Sequence, residues 1–177
     1  MQQVLSTSHL TLHPCNVADI ERLHCHWTAP DVRRYLWDNR MVSQETVGTF
    51  VRASLASFRT HHYGLWRLLY KQEGAFCGVC GLRDGRLAWP ELLYSIAPEY
   101  WGRGLATESA HGVLQHAFTE LGLQGVVATV DHPNLASIRV LEKLGMSMMG
   151  EQQMHDTLVR YYAISQERFC ALLATGS

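Results

Sequence analysis

An α+β domain built on one mixed, mostly antiparallel sheet is what this sequence predicts. Its middle third holds three short apolar and aromatic runs separated by glycine-containing turns, the pattern of neighbouring antiparallel strands. Its helical periodicities fall in blocks before and after those runs, not strand by strand as a doubly wound parallel sheet requires. The chain has 177 residues, 47% hydrophobic and 18% charged, which is ordinary globular composition. One domain over residues 1–177, with a sizeable core, is the simplest organisation.

Ser8 to Leu12 alternates polar and apolar residues and reads as a short edge strand, closed by Pro14. Asn16 then caps a helix with Val17, Ile20, Leu23, His24 and Trp27 on one side. Pro30 breaks it, and Asp31 to Asp38 forms a further helical piece with Val32, Tyr35 and Leu36 facing inward. Ser43 starts the next helix, in which Val47, Phe50, Val51, Ser54, Leu55 and Phe58 recur at helical spacing. Tyr63 to Lys71 and Ala75 to Arg83 read as paired strands, and Asp84-Gly85 signals a hairpin into Glu91 to Ile96. A long helix follows, with Ala106, Ala110, Val113, Leu114, Ala117, Phe118 and Leu121 on one face, and ends at Gly122. Gly125 to Asp131 is a short buried strand, and Leu135 to Leu144 a helix closed by Gly145. Two strands, Met146 to Met154 and Leu158 to Ser165, precede a short helix, and the tail from Ala174 is expected to be loose.

The net charge is −1 and no basic block appears, which argues against nucleic acid as a partner. No stretch approaches the roughly 18 apolar residues of a membrane span, so no membrane partner is expected. Five cysteines, with no basic-then-apolar leader at the start, suit a reduced cytoplasmic protein. Monomer and homodimer both remain open.

The stretch Glu91 to Ala110, ELLYSIAPEYWGRGLATESA, organises the chain. Strand, glycine turn and helix start follow one another there. That arrangement aims free backbone N–H groups and the positive end of a helix dipole at one point, an anion site suited to phosphate. A Walker loop would need Lys-Ser/Thr at its end, and a dinucleotide fingerprint a third glycine where Thr107 stands.

The segment PEYWGRGLATE resembles the acetyl-CoA signature of the GNAT acetyltransferases, most of all the RimJ/RimL-type branch. The family pattern Arg/Gln-x-x-Gly-x-Gly/Ala falls on Trp101, Gly102, Arg103, Gly104, Leu105 and Ala106, with Trp101 in place of the usual Arg or Gln. Further on, HPNLASIRVLEKLGM is similar to the family's Asn-x-x-Ser-x-x-x-Leu-Glu-Lys-x-Gly-Phe signature, with Met146 for Phe. The resemblance implies a GNAT-like sheet flanked by helices and splayed between its fourth and fifth strands, Glu91–Ile96 and Gly125–Val130. The pantetheine arm of acetyl-CoA slots into that splay, and no metal is needed. It further implies pyrophosphate contacts at Trp101 and from Gly102 to Thr107. Ile96 would hold the pantetheine amides, the Tyr94 backbone N–H would form the oxyanion hole, and Asn134 and Ser137 would lie beside the cofactor. Asn134 serves equally as a plain helix cap. Where many members carry a thiolate-protonating Tyr, this chain has Leu141, which leaves Ser137 as the hydroxyl near the sulfur. Glu91 is the implied base, with Asp156, Glu151 and His155, or a water chain, as alternatives.

The implied reaction moves acetyl from acetyl-CoA to a primary amine by direct attack in a ternary complex. A peptide or protein N-terminal α-amine is the expected acceptor. Its pKa of about 8, against about 10.4 for lysine, leaves far more of it neutral at pH 7. A small-molecule amine such as a polyamine, aminoglycoside or amino acid is the alternative, and a non-catalytic acyl-CoA-binding module the rival class. Cys77 and Cys80 match Cys-x-x-Cys, but an offset of three on a strand is expected to put them on opposite faces, away from metal or redox use. The ten histidines show no ligand spacing. Trp27, Tyr35, Trp37, Tyr63 and Trp66 are core by pattern, with one or two available to line an acceptor pocket.

Overall fold

In a computed structural model describing residues 3–85, 88–154 and 156–175, the chain forms one eight-stranded sheet carrying helices on both faces. The strands are β1 (Leu5–Ser6), β2 (Leu10–Pro14), β3 (Leu65–Tyr70), β4 (Ala75–Arg83), β5 (Glu91–Ile96), β6 (Gly125–Asp131), β7 (Ser147–Met154) and β8 (Thr157–Ser165). Their spatial order is β1-β2-β3-β4-β5-β6-β8-β7. Every pairing is antiparallel except β5 with β6, which is parallel.

The helices are α1 (Ile20–Thr28), α2 (Pro30–Leu36), α3 (Gln44–Thr60), α4 (Leu105–Gln115), α5 (Leu135–Lys143) and α6 (Gln166–Thr175). Asn16 caps as expected, closing a capping box with Asp19, although one turn of 3₁₀ helix at Val17–Asp19 intervenes before α1. Pro30 both ends α1 and opens α2 at its first position, where a missing N–H costs nothing. Ser43 caps α3 through the Thr46 N–H. A π turn at His116–Glu120 carries α4 on towards Gly122. The α6 helix continues through Thr175, so Ala174 is helical where a loose tail was expected, and residues 176 and 177 lie outside the described residues.

Neighbouring strand residues point to opposite faces, and two cores result. Leu65 and Val79 join Leu23, Trp27, Val47 and Val51 under α1–α3. Trp66, Leu68, Val126 and Ile164 join Val113, Leu114, Phe118, Leu141 and Phe169 under α4–α6. One alternation is broken. The β3–β4 register slips between Leu68 and Leu69, leaving Cys77 as an extra residue, so Cys77 and Cys80 fall in the same core. The expectation of opposite faces is corrected by that bulge. The strand Leu5–Ser6 was not foreseen, because two residues give periodicity nothing to act on.

Candidate active site

The site begins where two strands part. The Ala97 N–H donates to the Cys77 carbonyl at 2.9 Å, and the β4–β5 register then runs one to one from Gly78–Ile96 to Arg83–Glu91. Alternation along this ladder turns the backbone groups of Glu91, Leu93 and Ser95 towards β4, and those of Tyr94 and Ile96 towards β6. Among the described residues β6 meets β5 at one pair, Glu91–Val127, with the Val127 N–H on the Pro90 carbonyl at 2.9 Å. Beyond that pair the strands diverge. The Tyr94 and Ile96 N–H groups therefore face a gap within the sheet.

At the far end of β5 lies the glycine turn. Gly102 and Gly104 have φ of +74° and +77°, the left-handed region that glycine enters without strain. A Cβ on either would meet nothing within 4 Å, so the space beside them is open. Gly104 is the N-cap of α4 with no side chain capping it, which leaves the first-turn N–H groups free for a ligand. Trp101 donates its indole N–H to the Ile96 carbonyl at 2.7 Å, tying the turn to the strand end. The Arg103 guanidinium lies over the rings of Tyr70 and Tyr100 at 5.5 and 5.1 Å. Leu105 is buried, so only its backbone is available, while Ala106 and Thr107 are half-buried in the first turn.

Across the gap stands α5. Asn134 caps it, its side-chain carbonyl accepting from the Ser137 N–H at 3.1 Å. Its amide donors stay uncommitted by that bond. The Tyr94 side chain crosses to α5, its phenol 2.7 Å from the Ser137 hydroxyl and 3.2 Å from the Ser137 carbonyl. Burial holds the phenol's pKa well above the ordinary phenol range.

A cleft of about 890 Å³ opens from this point, lined by Tyr94, Asn134 and Leu141, by Tyr35 of α2, and by four carboxylates: Asp38, Asp84, Glu91 and Asp131. Glu91 is committed, with Oε2 on Arg83 at 2.8–2.9 Å and Oε1 accepting from Thr129 at 2.5 Å. Asp84 accepts from the Tyr63 phenol at 2.6 Å. Among the described residues Asp38 and Asp131 have no ion pair. Burial first, and then the charge of Asp38, raise the Asp131 carboxyl above its usual range.

The sequence from 9 to 147 matches the family described as "Acetyltransferase (GNAT) domain". The chain belongs to the GNAT acetyltransferases. Spermidine N(1)-acetyltransferase of Escherichia coli K12 is 37% identical over 170 residues, covering 93% of this chain and 87% of that one. Two solved structures share the fold. The GNAT-family acetyltransferase from Bacillus anthracis superposes with a TM-score of 0.78 at 23% identity, covering 93% of this chain and 99% of that one. RimL, a ribosomal L7/L12 alpha-N-protein acetyltransferase in complex with coenzyme A, gives 0.78 at 15% identity, over 92% and 98%.

As a GNAT acetyltransferase, the chain is an acetyl-CoA-dependent N-acetyltransferase, and the strand divergence, glycine turn and α5 cap fall together around one gap. The second set of expected acids does not join them. Glu151 pairs with Arg160 across β7–β8 at 3.4 Å, Asp156 is exposed in the turn, and neither lines the cleft; His155 lies outside the described residues. Of the five aromatics, Tyr35 lines the cleft, while Trp27 and Trp66 are fully buried. The sequence pattern missed the Tyr94 phenol, Asp38 and Asp131, which long stretches of chain separate from the elements they face here. Alternation places the Tyr94 side chain opposite that of Ser95, which was the one signal available.

Proposed function

We propose that this protein transfers the acetyl group of acetyl-CoA directly to a cationic primary amine seated among the carboxylates of the cleft. The observation that carries the proposal is the pairing of the β5–β6 gap with a cleft in which, among the described residues, Asp38 and Asp131 have no ion-pair partner. Acetyl-CoA supplies the activated acetyl thioester. The open turn at Gly102 and Gly104 and the uncapped start of α4, through Leu105, Ala106 and Thr107, fit its pyrophosphate, with Trp101 and Arg103 alongside. The Ile96 N–H and the Asn134 amide suit its pantetheine arm. The Tyr94 N–H is the donor available to a carbonyl oxygen gaining charge, and Ser137 the hydroxyl available to a departing sulfur.

The carboxylates act on the acceptor. A primary ammonium is drawn in by Asp38 and Asp131, and must then shed a proton before its nitrogen can attack. Asp131, raised by burial, is a competent receiver. Glu91, the expected base, would first have to release Arg83 or Thr129. We assign it to shaping the wall. The name of the Escherichia coli relative supports a polyamine as acceptor. A peptide N-terminal α-amine is the second reading, favoured by its larger neutral fraction at pH 7 and by the shared fold of RimL.

Competition decides between them. Spermidine, an aminoglycoside and short peptides with free α-amines are offered to the protein with acetyl-CoA, and products are read by mass spectrometry. Spermidine should show the highest kcat/KM, and Asp131→Asn should lower that value about tenfold, as expected for loss of a close charge partner. Acetylation confined to peptide α-amines would overturn the polyamine assignment, and acetyl-CoA binding without turnover of any amine would overturn the transfer itself.

A further inference from the structure

Ser137 and Leu141 are one turn apart on α5, so they share a face, and Asn134 stands three residues before Ser137 on that same face. Asn134 and Leu141 line the cleft with Ser137 set between them. Leu141 offers this face no hydroxyl. A phenol nevertheless reaches it from another element, because Tyr94 of β5 brings its hydroxyl within 2.7 Å of the Ser137 Oγ.

We propose that Tyr94 is a positioning residue for acetyl transfer: its phenol donates to the Ser137 Oγ and so turns the Ser137 hydroxyl hydrogen towards the gap, ready for the departing sulfur. Either hydroxyl can donate in this contact, and the engagement of the Ser137 carbonyl favours donation by the phenol. Inside α5 the Ser137 carbonyl is the ladder acceptor for Leu141, and it lies farther from the phenol, at 3.2 Å against 2.7 Å. Burial keeps the phenol protonated, so it remains a donor. A serine whose oxygen is occupied in this way has one hydrogen left to give, and free rotation about its Cβ–Oγ bond is lost. Neither side chain surrenders its proton. Ser137 donates a hydrogen bond to the sulfur, which leaves with the carbon–sulfur electron pair as the amine nitrogen, its first proton already passed to Asp131, bonds to the acetyl carbon and releases its second proton to solvent.

The inference rests on the role given above to Ser137, and the test separates the two. Tyr94→Phe, Ser137→Ala and the double variant are compared with wild type. Tyr94→Phe keeps the ring and should melt close to wild type. Its kcat should fall about tenfold, the worth of one oriented hydrogen bond, with the KM for acetyl-CoA nearly unchanged. The double variant should be no slower than Ser137→Ala alone, because Tyr94 acts through Ser137. An equilibrium readout accompanies the rates. The thiol of coenzyme A bound to wild type, followed by thiolate ultraviolet absorbance across pH, should titrate about one unit below that on either single variant, since a hydrogen bond to the charged form favours it. A wild-type kcat in Tyr94→Phe, effects that multiply in the double variant, or a thiol titration in Tyr94→Phe equal to that of wild type would overturn the positioning role while leaving Ser137 standing. A wild-type kcat in Ser137→Ala would remove both.

Discussion

His26 shows how a single side chain ties the stability of this fold to pH. It is buried on α1 beneath β5, with Nε2 2.9 Å from the Ser95 hydroxyl, and that hydroxyl also accepts from the Trp27 indole at 3.2 Å. Desolvation lowers its pKa from 6.5 to about 4; the hydrogen bond to Ser95 and the charge of Glu99 oppose that shift and are outweighed. The folded state therefore holds His26 neutral where the unfolded chain would protonate it. The stability this confers is present above pH 6.5 and is lost as pH falls towards 4, by about 3 kcal/mol at most. Chemical denaturation at steps from pH 7 to pH 4.5 should show that slope, and His26→Gln should flatten it; an equal slope in the variant would contradict the assignment. Glu91 is held on both sides. With both oxygens bound to Arg83 and Thr129, Glu91→Gln should lower the Tm and leave kcat within about threefold, whereas loss of a general base costs a hundredfold or more. A hundredfold fall in kcat at unchanged Tm would restore Glu91 as the base. At this scale the sequence was legible only for the direction of backbone groups, which strand alternation sets. The Tyr94 N–H could be placed from its strand, but its phenol meets Ser137, 43 residues away, and no local pattern carries that contact.

Elements were legible where a cap, a breaker or a clean periodicity marked them. Asn16, Ser43, Asn134 and Gly145 each sit where capping chemistry put them, and β3 to β6 fall within a residue or two of the apolar runs that announced them. Features that depend on neighbours were not legible. The bulge at Cys77 is a property of the β3–β4 register, and the π turn at His116 arises in a helix whose apolar face is otherwise regular. The glycine turn before α4 can be tested by one substitution. Gly104→Val would set a branched residue at φ +77°, costing about 1–2 kcal/mol. Its side chain would also fill space where no protein atom lies within 4 Å, the space assigned to the pyrophosphate. Calorimetry on the folded variant should show acetyl-CoA affinity reduced well beyond tenfold. Unchanged affinity would place the anion elsewhere.

At the scale of the whole molecule, one sheet is paired from β1 to β5 and from β6 to β7, and it opens between those blocks after a single bridge. The opening joins the glycine turn at one end to the carboxylate cleft at the other. Donor and acceptor can thus be held together across it. No thiol stands ready to take the acetyl group first: Cys15, Cys77 and Cys80 are buried, and neither Cys25 nor Cys170 lines the cleft. The parallel contact between β5 and β6 within an otherwise antiparallel order follows from the strand–helix–strand run at 91–131, which the sequence displays. How far the two strands part is set by packing against α4 and α5, which the sequence does not display. Direct transfer in a ternary complex fixes the form of the rate law, which initial velocities over a matrix of acetyl-CoA and spermidine concentrations reveal. Double-reciprocal lines should intersect, since both substrates must be bound before acetyl moves. Parallel lines would show that acetyl rests on the protein between two separate encounters, and would rule out direct transfer.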